Sequence, residues 1–503
     1  MSISRSERRR LRWARATAGF VLAGCLLVGC SGEERKPGSE EVGDRVGRGS
    51  DSRNNVVVIV IDTLRPDHLG FYGYHRETAP YLASLAEKGV VFTRAVSTST
   101  WTAPSTTSLF TGLHPLRHGV QLGIVAHRRL LESPKAPHGN TANVEVKVEL
   151  NRIPASVSTL PELFRAVGYR TFGIASNPNI GASIGFDRGF DRFQLLEKRS
   201  GGTPEPRATK RNQGRLRWGN GEELYAELRR WKSELLSGPE PFFLYIHIND
   251  VHIPYEKHVR FYREAGTDSD RQALYDSGIG YVDDVLGKIH TELGFDDDTI
   301  ILVASDHGEA FGEHEYIAHR EGVYGETNRI LLLLSAPGLG VEPARVESRV
   351  SIMGVLPTLL ELVGASAPVD REGISFVPLL LADDGNATPA REELEQRLKE
   401  RALIVHRVAQ AQAQYAKDPS VSWAVMKGRW KLIHDRSRVE LYDLEVDLEE
   451  RENLALEHPE VRAALEAQLA EYREQTRPIE SESIDLLLDP QTVEALRAIG
   501  YGD

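Results

Sequence analysis

Two runs of the chain are apolar without interruption, residues 56–61 and 300–304, and each leads into a carboxylate, Asp62 and Asp306. Neither run alternates between apolar and polar positions. Each therefore predicts a strand buried on both faces, as in the interior of a parallel sheet. Ligands of such sheets bind beyond the carboxyl ends of the strands, which puts Asp62, Asp306 and His307 at one edge. A third strand, 242–248, delivers a loop carrying His252 to the same edge. Helical spacing over 78–89 and 274–293, and at Val355, Leu356, Leu359 and Leu360 with apolar density continuing to about Leu381, alternates with these strands and with a short strand at 89–92. Alternation of this kind predicts an α/β fold. Further on, 390–415 predicts a charged helix, 423–443 the paired strands of a small antiparallel subdomain, and 458–473 a helix packed on it. Residues 126–152 predict an irregular loop near the cleft and 200–221 a basic, Gly-rich insertion.

The most informative local pattern is Trp101-Thr102-Ala103-Pro104-Ser105-Thr106-Thr107-Ser108-Leu109-Phe110-Thr111-Gly112. It presents the Thr102 hydroxyl on a turn that opens a helix. The first helical N–H groups have no intrahelical partner, so they and the helix dipole face an anion docked beside that hydroxyl. A side chain that attacks and backbone donors that hold the attacked group are thereby combined. Asp62, Asp306, His307 and the Thr102 oxygen together make a hard, mostly oxygen donor set suited to one divalent ion: Ca²⁺, Mg²⁺, Mn²⁺ or Zn²⁺. Such an ion lowers the pKa of the hydroxyl and neutralises charge on the transferring group. Singly, Thr102 reads as a capping hydroxyl and Asp62 as a helix N-cap.

From about Asn54 onward the chain resembles the sulfatase family of the alkaline phosphatase superfamily. The likeness rests on five segments in family order: Ile61-Asp62-Thr63-Leu64-Arg65-Pro66-Asp67-His68-Leu69-Gly70; the Thr102 turn with Thr111-Gly112-Leu113-His114-Pro115; His252-Ile253-Pro254-Tyr255; Ser305-Asp306-His307-Gly308-Glu309 with Gly312-Glu313-His314; and Gly428-Arg429-Trp430-Lys431-Leu432-Ile433 with Glu440-Leu441-Tyr442-Asp443-Leu444. The resemblance implies an alkaline-phosphatase-like sandwich, a central and mostly parallel sheet flanked by helices, with a small C-terminal α+β subdomain. It implies hydrolysis of sulfate or phosphate esters at the Thr102 site. His252 is implied as the group that meets the leaving oxygen, and His319 as a ligand of the non-bridging oxygens. Thr63 and Asn177 are implied substrate contacts, Arg65 a cationic one. Asp67 and His314 are read as supporting groups, with His314 in reserve for a second metal.

Four departures from the family pattern bear on chemistry. Threonine stands where type I sulfatases carry the Cys or Ser that matures to formylglycine, so no formylglycine is expected. Thr106 replaces the arginine of the C/S-x-P-S-R motif. Thr63 replaces the second aspartate of the usual pair, and Ala175-Ser176-Asn177-Pro178-Asn179 stands for the Lys-x-His segment. Unmodified threonine looks like the nucleophile of nucleotide pyrophosphatases and phosphoethanolamine transferases. Lost cationic groups disfavour a highly charged phosphate monoester and leave sulfate monoesters or phosphodiesters in play.

A net charge of −12 over 503 residues argues against nucleic acid as a partner. The N-terminus reads as a lipoprotein leader: a run of arginines, an apolar stretch at 16–29, and Leu27-Val28-Gly29-Cys30 as a lipobox, with Cys25 as a rival. This divides the chain into a leader (1–30), a flexible tether (31–54), a catalytic domain (55–385), a helical connection (386–420) and a C-terminal subdomain with tail (421–503). It also places the protein in a bacterial cell envelope, lipid-anchored to a membrane and facing small, glycan-linked or lipid-linked anionic esters. Beside the hydrolase stand two other readings: a phospho-headgroup transferase, and a catalytically silent anion-binding lipoprotein.

Overall fold

The computed structural model describes residues 54–124, 146–199, 216–266, 269–319, 322–381, 388–408, 421–435, 438–481 and 483–488. The expected leader, its Cys30 and the tether up to residue 53 lie outside them.

The run at 56–61 forms β1 (Asn55–Ile61), whose side chains divide by parity between two cores. Val56, Val58 and Val60 enter one apolar cluster, and Val57, Ile59 and Ile61 the other. Full burial of an aliphatic side chain contributes about 1.5–3 kcal/mol, so both faces reject polar residues until Asp62. Around β1 are β2 (Val90–Phe92), β3 (Arg170–Ala175), β4 (Arg192–Leu195), β5 (Phe242–Ile248), β6 (Thr299–Ala304), β7 (Leu332–Ser335) and β8 (Ala344–Val346). Their order across the sheet is β8-β2-β7-β6-β1-β5-β3-β4. Strands β6, β1, β5, β3 and β4 run parallel, and β7 is antiparallel to both β6 and β2. Helices α1 (Pro80–Ala86), α3 (Gly221–Leu236) and α4 (Asp270–Leu293) cover one face; α2 (Thr102–Thr111) and α5 (Val355–Leu362) cover the other. This is the sandwich that the sequence predicts.

Register places the functional loops. Val60 pairs with Ala304 on one side and His247 on the other, and His247 pairs in turn with Ala175. Asp62, Asp306, His247 and Asn177 therefore leave neighbouring strands at the same end.

Two expectations need correction. The charged helix ends early: α6 (Pro389–Glu400) is followed by β9 (Leu403–Val408), so the region 386–420 is no purely helical connection and the C-terminal sheet starts before 421. Leu403, Ile404 and Val405 are consecutive apolar residues, all buried, and they belong to a strand. They pair antiparallel with β10 (Val421–Lys427), which continues into β11 (Trp430–Asp435) and β12 (Arg438–Asp443), with α7 (Pro459–Gln475) packed across them. Second, the supposed loop at 126–152 ends in a strand, Val146–Asn151, paired with Ser483–Leu488 near the other end of the chain. Its Val-Lys-Val-Glu-Leu alternation has strand period, and that signal outweighs the polar composition.

Candidate active site and metal centre

Helix α2 is buried along its whole length. A helix rich in Ser and Thr survives there because its hydroxyls bond its own backbone: Thr107, Ser108 and Thr111 donate to the carbonyls of Ala103, Pro104 and Thr107 at 2.7, 3.1 and 2.7 Å. Ser105 instead donates to the Asp306 carbonyl at 2.6 Å, tying the helix to the end of β6. Thr106, one turn beyond Thr102 on the same face, has a buried hydroxyl with no hydrogen-bond partner. Thr102 is the first helical residue, after Trp101 as N-cap. Its Oγ1 donates to Asp62 Oδ2 at 3.4 Å and lies 3.3 Å from His307 Nε2.

The two carboxylates are oriented from behind. Asp306 Oδ1 accepts the backbone N–H groups of Thr63 (3.2 Å) and His307 (2.9 Å). Asp62 Oδ2 accepts from the Asn177 amide, from Thr102 and from His247 Nε2 at 3.3 Å. That leaves Asp62 Oδ1 and Asp306 Oδ2 buried without a hydrogen-bond partner. His307 donates Nδ1–H to the Gly308 carbonyl at 2.9 Å, which presents the lone pair of Nε2 to the same space, 3.8 Å from Asp62 Oδ1 and 3.6 Å from Asp306 Oδ2. The edge of a tetrahedral shell of oxygen and nitrogen ligands is about 3.4 Å. Buried carboxylate oxygens without donors, converging with an imidazole lone pair and a hydroxyl, fit a divalent cation.

Sequence reasoning missed His247. With Asp62 and Asp306 it forms a trio whose possible ligand atoms lie within 4.8 Å of one another. Its hydrogen bonds give it a different role. The buried Tyr245 hydroxyl lies 2.9 Å from Nδ1, which leaves the proton on Nε2, facing Asp62. His247 thus orients Asp62, while His307 offers the lone pair. A lone polar residue inside the apolar run of β5 was the available signal.

Burial opposes charge on Asp62, but the His247 hydrogen bond and the imidazoles of His252 and His307 outweigh it and hold the carboxyl below its usual range. Asp306 is pushed up, by burial first and by Asp62 second. Burial also opposes charge on His307, yet Asp306 and Asp62 raise its pKa. His252 is pushed down to about 4 by burial, and donates Nδ1–H to its neighbour's carbonyl, Ile253 O, at 2.5 Å. The rings of His319 and His252 are 5.0 Å apart, and His319 is 4.5 Å from His307. All these residues are buried.

Thr63 has φ 59°, a left-handed conformation that a β-branched residue adopts only when its surroundings impose it, and its buried hydroxyl has no partner. Tyr275 holds it there, donating to the Thr63 carbonyl at 2.7 Å while accepting from the Arg65 N–H at 2.7 Å. Gly308 is required for a different reason: a Cβ there would lie 2.1 Å from the Glu326 carbonyl.

Two expected contributors are engaged elsewhere. Arg65 pairs with Asp67 and Glu313, at 2.7 Å each, and donates to the Glu309 carbonyl at 2.9 Å, so it braces the two loops instead of serving as a cationic contact to the ester. His314 is no reserve ligand: its ring lies between Glu326 and the Glu450 carbonyl, against the C-terminal sheet. Asp67, expected as a supporting group, is one: it is the partner of Arg65. Among the described residues, no Lys or Arg side chain is hydrogen-bonded or ion-paired to Asp62, Thr102, Asp306 or His307.

The family model "Sulfatase" matches residues 54–365, and the model "N-sulphoglucosamine sulphohydrolase, C-terminal" matches 312–475. The chain is 24% identical to an N-acetylgalactosamine-6-O-sulfatase of Bacteroides thetaiotaomicron, over 87% of this chain and 94% of that protein. It is 25% identical to a multifunctional alkaline phosphatase superfamily protein, PehA, of Trinickia caryophylli, over 80% and 91%. Its fold is similar to that of a phosphonate monoester hydrolase of Agrobacterium radiobacter, with a TM-score of 0.61, 20% identity, and 84% and 96% of the two chains covered. With the match spanning more than half its length, and the strand ends, turn and carboxylates in the places just described, the chain belongs to the sulfatase family, the sulfuric-ester hydrolases of the alkaline phosphatase superfamily.

Proposed function

We propose that the protein hydrolyses sulfate monoesters with the unmodified Thr102 hydroxyl as nucleophile, supported by one divalent cation held by Asp62, Asp306, His307 and Thr102. The observation that carries this reading is the position of Thr102 Oγ1, within 3.4 Å of both Asp62 and His307 at the start of a buried helix. When bound, the cation supplies Lewis acidity, lowering the pKa of the hydroxyl and offsetting charge on the ester. Two carboxylates, one imidazole and one hydroxyl favour Mn²⁺ or Zn²⁺ over Ca²⁺, which prefers six or more oxygens.

The chain's own residues do the rest. Asp62 Oδ2, held by Asn177 and His247, takes the hydrogen bond of the Thr102 hydroxyl and so points the oxygen. The oxygen attacks sulfur in line as its proton passes to Asp62 Oδ2, the bond from sulfur to the alcohol oxygen breaks, and that oxygen takes a proton from water at the side lined by His252 and His319. Water then attacks the same sulfur, the bond from sulfur to the Thr102 oxygen breaks, and that oxygen takes back the proton held by Asp62, releasing hydrogen sulfate and restoring the hydroxyl. The unpartnered hydroxyls of Thr63 and Thr106 are neutral donors for the non-bridging oxygens. Neutral donors suit a singly charged group, so a doubly charged phosphate monoester is a poor substrate. The relatives' names direct the leaving group toward a sulfated sugar such as N-acetylgalactosamine 6-sulfate.

A second reading, phosphodiester or phosphonate monoester hydrolysis, is favoured by the same singly charged geometry. Turnover of aryl and sugar sulfates, a phosphodiester and a phosphonate monoester by purified protein with each metal separates the two. Thr102→Ala is expected to lower kcat about 10³-fold or more while folding normally. Intact-peptide mass is expected to show unmodified threonine at 102. Full activity of Thr102→Ala overturns the assignment.

A further inference from the structure

Each of the two buried carboxylates offers one oxygen and closes off the other. Asp306 Oδ1 accepts two backbone N–H groups, from Thr63 at 3.2 Å and His307 at 2.9 Å, while Oδ2 has no donor. Asp62 Oδ2 accepts from Asn177 Nδ2, His247 Nε2 and Thr102 Oγ1, while Oδ1 has no donor. The two closures differ in kind. Backbone closes Asp306, whereas side chains close Asp62, so a substitution can reopen it.

The closing side chains are themselves locked. Asn177 Oδ1 accepts the Asn179 N–H at 2.8 Å, so the amide nitrogen has to face Asp62 and Asn249 Oδ1, which is 3.0 Å away. The His247 ring is held from its far end. Tyr245 Oη lies 2.9 Å from Nδ1, and among the described residues this is the hydrogen bond of a phenol with no exposure to solvent. Tyr245 and His247 are two apart on β5 and share the face that packs on α2, where the Phe110 ring meets Tyr245 edge-on at 4.8 Å. A line of contacts from the helix of Thr102 thus reaches the back of Asp62 through Tyr245 and His247.

A carboxylate with both oxygens free can hold a cation through both, which suits a large ion with about six to eight oxygen ligands. One limited to a single oxygen makes a smaller shell. Asp62 Oδ1, Asp306 Oδ2, His307 Nε2 and Thr102 Oγ1 are four donor atoms, the number of a tetrahedral site.

We propose that His247, locked by Tyr245, is a metal-selectivity residue: its N–H, with that of Asn177, holds Asp62 to one oxygen and so disfavours Ca²⁺ against Mn²⁺ and Zn²⁺. The inference rests on the reading that Asp62, Asp306, His307 and Thr102 hold a divalent cation, and it names the residue that chooses among cations. The competing role for His247 is that of a ligand, because a ring nitrogen lies within 4.8 Å of a carboxylate oxygen of both Asp62 and Asp306.

Calorimetric titration of the metal-free protein with Mn²⁺, Zn²⁺ and Ca²⁺ separates the two roles without any assay of turnover. His247→Leu removes the donor to Asp62 Oδ2, and His247→Gln puts an amide N–H of similar reach in its place. The parent is expected to bind Mn²⁺ and Zn²⁺ at least about 100-fold more tightly than Ca²⁺. His247→Leu is expected to narrow that ratio about 10-fold or more, with Kd for Ca²⁺ falling, whereas His247→Gln keeps it within about 3-fold. Urea denaturation of each metal-free variant checks folding. Should His247→Leu not fold, Asn177→Ala opens the same oxygen from the other side and carries the same expectation. An unchanged ratio overturns the proposal. So does a narrowing that comes only from weaker Mn²⁺ and Zn²⁺ binding, which would make the imidazole a ligand. A parent that binds none of the three ions removes the cation and the reading beneath; a parent that binds Ca²⁺ as tightly as Mn²⁺ removes only the selectivity assigned to His247.

Discussion

The chain buries ionisable groups in two neighbouring places and treats them in opposite ways. At the ends of β1 and β6, Asp62 and Asp306 keep carboxylate oxygens without donors. A few residues further along, between residues 313–319 and 322–328 and the C-terminal sheet, the buried charges are matched. Lys431 Nζ meets Glu450 Oε1 at 2.7 Å, the Gly325 N–H donates to Glu450 Oε2 at 3.1 Å, and His314 bridges Glu326 and the Glu450 carbonyl at 2.9 and 3.0 Å. A matched buried pair holds surfaces in register. An unmatched one is tolerated only where a ligand completes it. Burial alone therefore does not identify a functional site; the balance of donors and acceptors does.

Breaking the matched side has the largest expected effect on stability. Lys431→Met leaves Glu450 buried without its cation and is expected to cost about 3–5 kcal/mol, read by urea denaturation. Lys431→Met with Glu450→Gln is expected to recover part of this, because the stranded charge goes. Both variants, where folded, should keep the metal affinity of the parent protein. A large change in that affinity would mean that the seam and the pocket are not separable as described.

The unmatched side predicts the reverse sign. Asp306→Asn retains an oxygen for the Thr63 and His307 N–H groups and turns an amide toward Asp62. In protein stripped of metal at pH 8 it is expected to be more stable than the parent by about 1–3 kcal/mol, because the mutual repulsion of two buried carboxylates is relieved. Added Mn²⁺ or Zn²⁺ should raise Tm of the parent but not of the variant. A metal-free variant less stable than the parent would show that Asp306 supports the fold.

Much of this contrast was legible in the chain. Apolar runs announce β1, β5 and β6; because ligands gather at the carboxyl ends of parallel strands, Asp62, Asp306 and His307 are legible as one cluster, and the turn that opens a helix adds Thr102 to it. What could not be read was direction. Arg65 and His314 lie in motif segments beside the pocket, yet they face Asp67 and Glu326, because the loop conformation after each strand sets where a side chain points. His247 was hidden for a related reason. Its role lies in a hydrogen bond to a residue distant in sequence, Asp62, 185 positions away. Strand β9 was missed because its charged approach continues a helical pattern, and only pairing with β10 decides between the two.

The smallest expected effect sharpens the comparison through pH. His314 Nδ1 faces the Glu326 carboxylate and Nε2 the Glu450 carbonyl, and neither partner can donate, so both ring nitrogens must carry protons. Burial opposes that charge, but Glu326 outweighs it and lifts the pKa to about 9. A folded pKa above the unfolded value of 6.5 means a contribution fully present below about pH 6.5 and lost as pH rises through about 9. The ring is partly open to solvent, so after screening the contribution is on the order of 1 kcal/mol. Denaturation between pH 6 and 10 is expected to show this decline in the parent and its absence in His314→Gln, which cannot titrate. Equal slopes in the two proteins would place the titrating group elsewhere and leave His314 a stacking partner of Tyr324, whose ring lies 3.9 Å away.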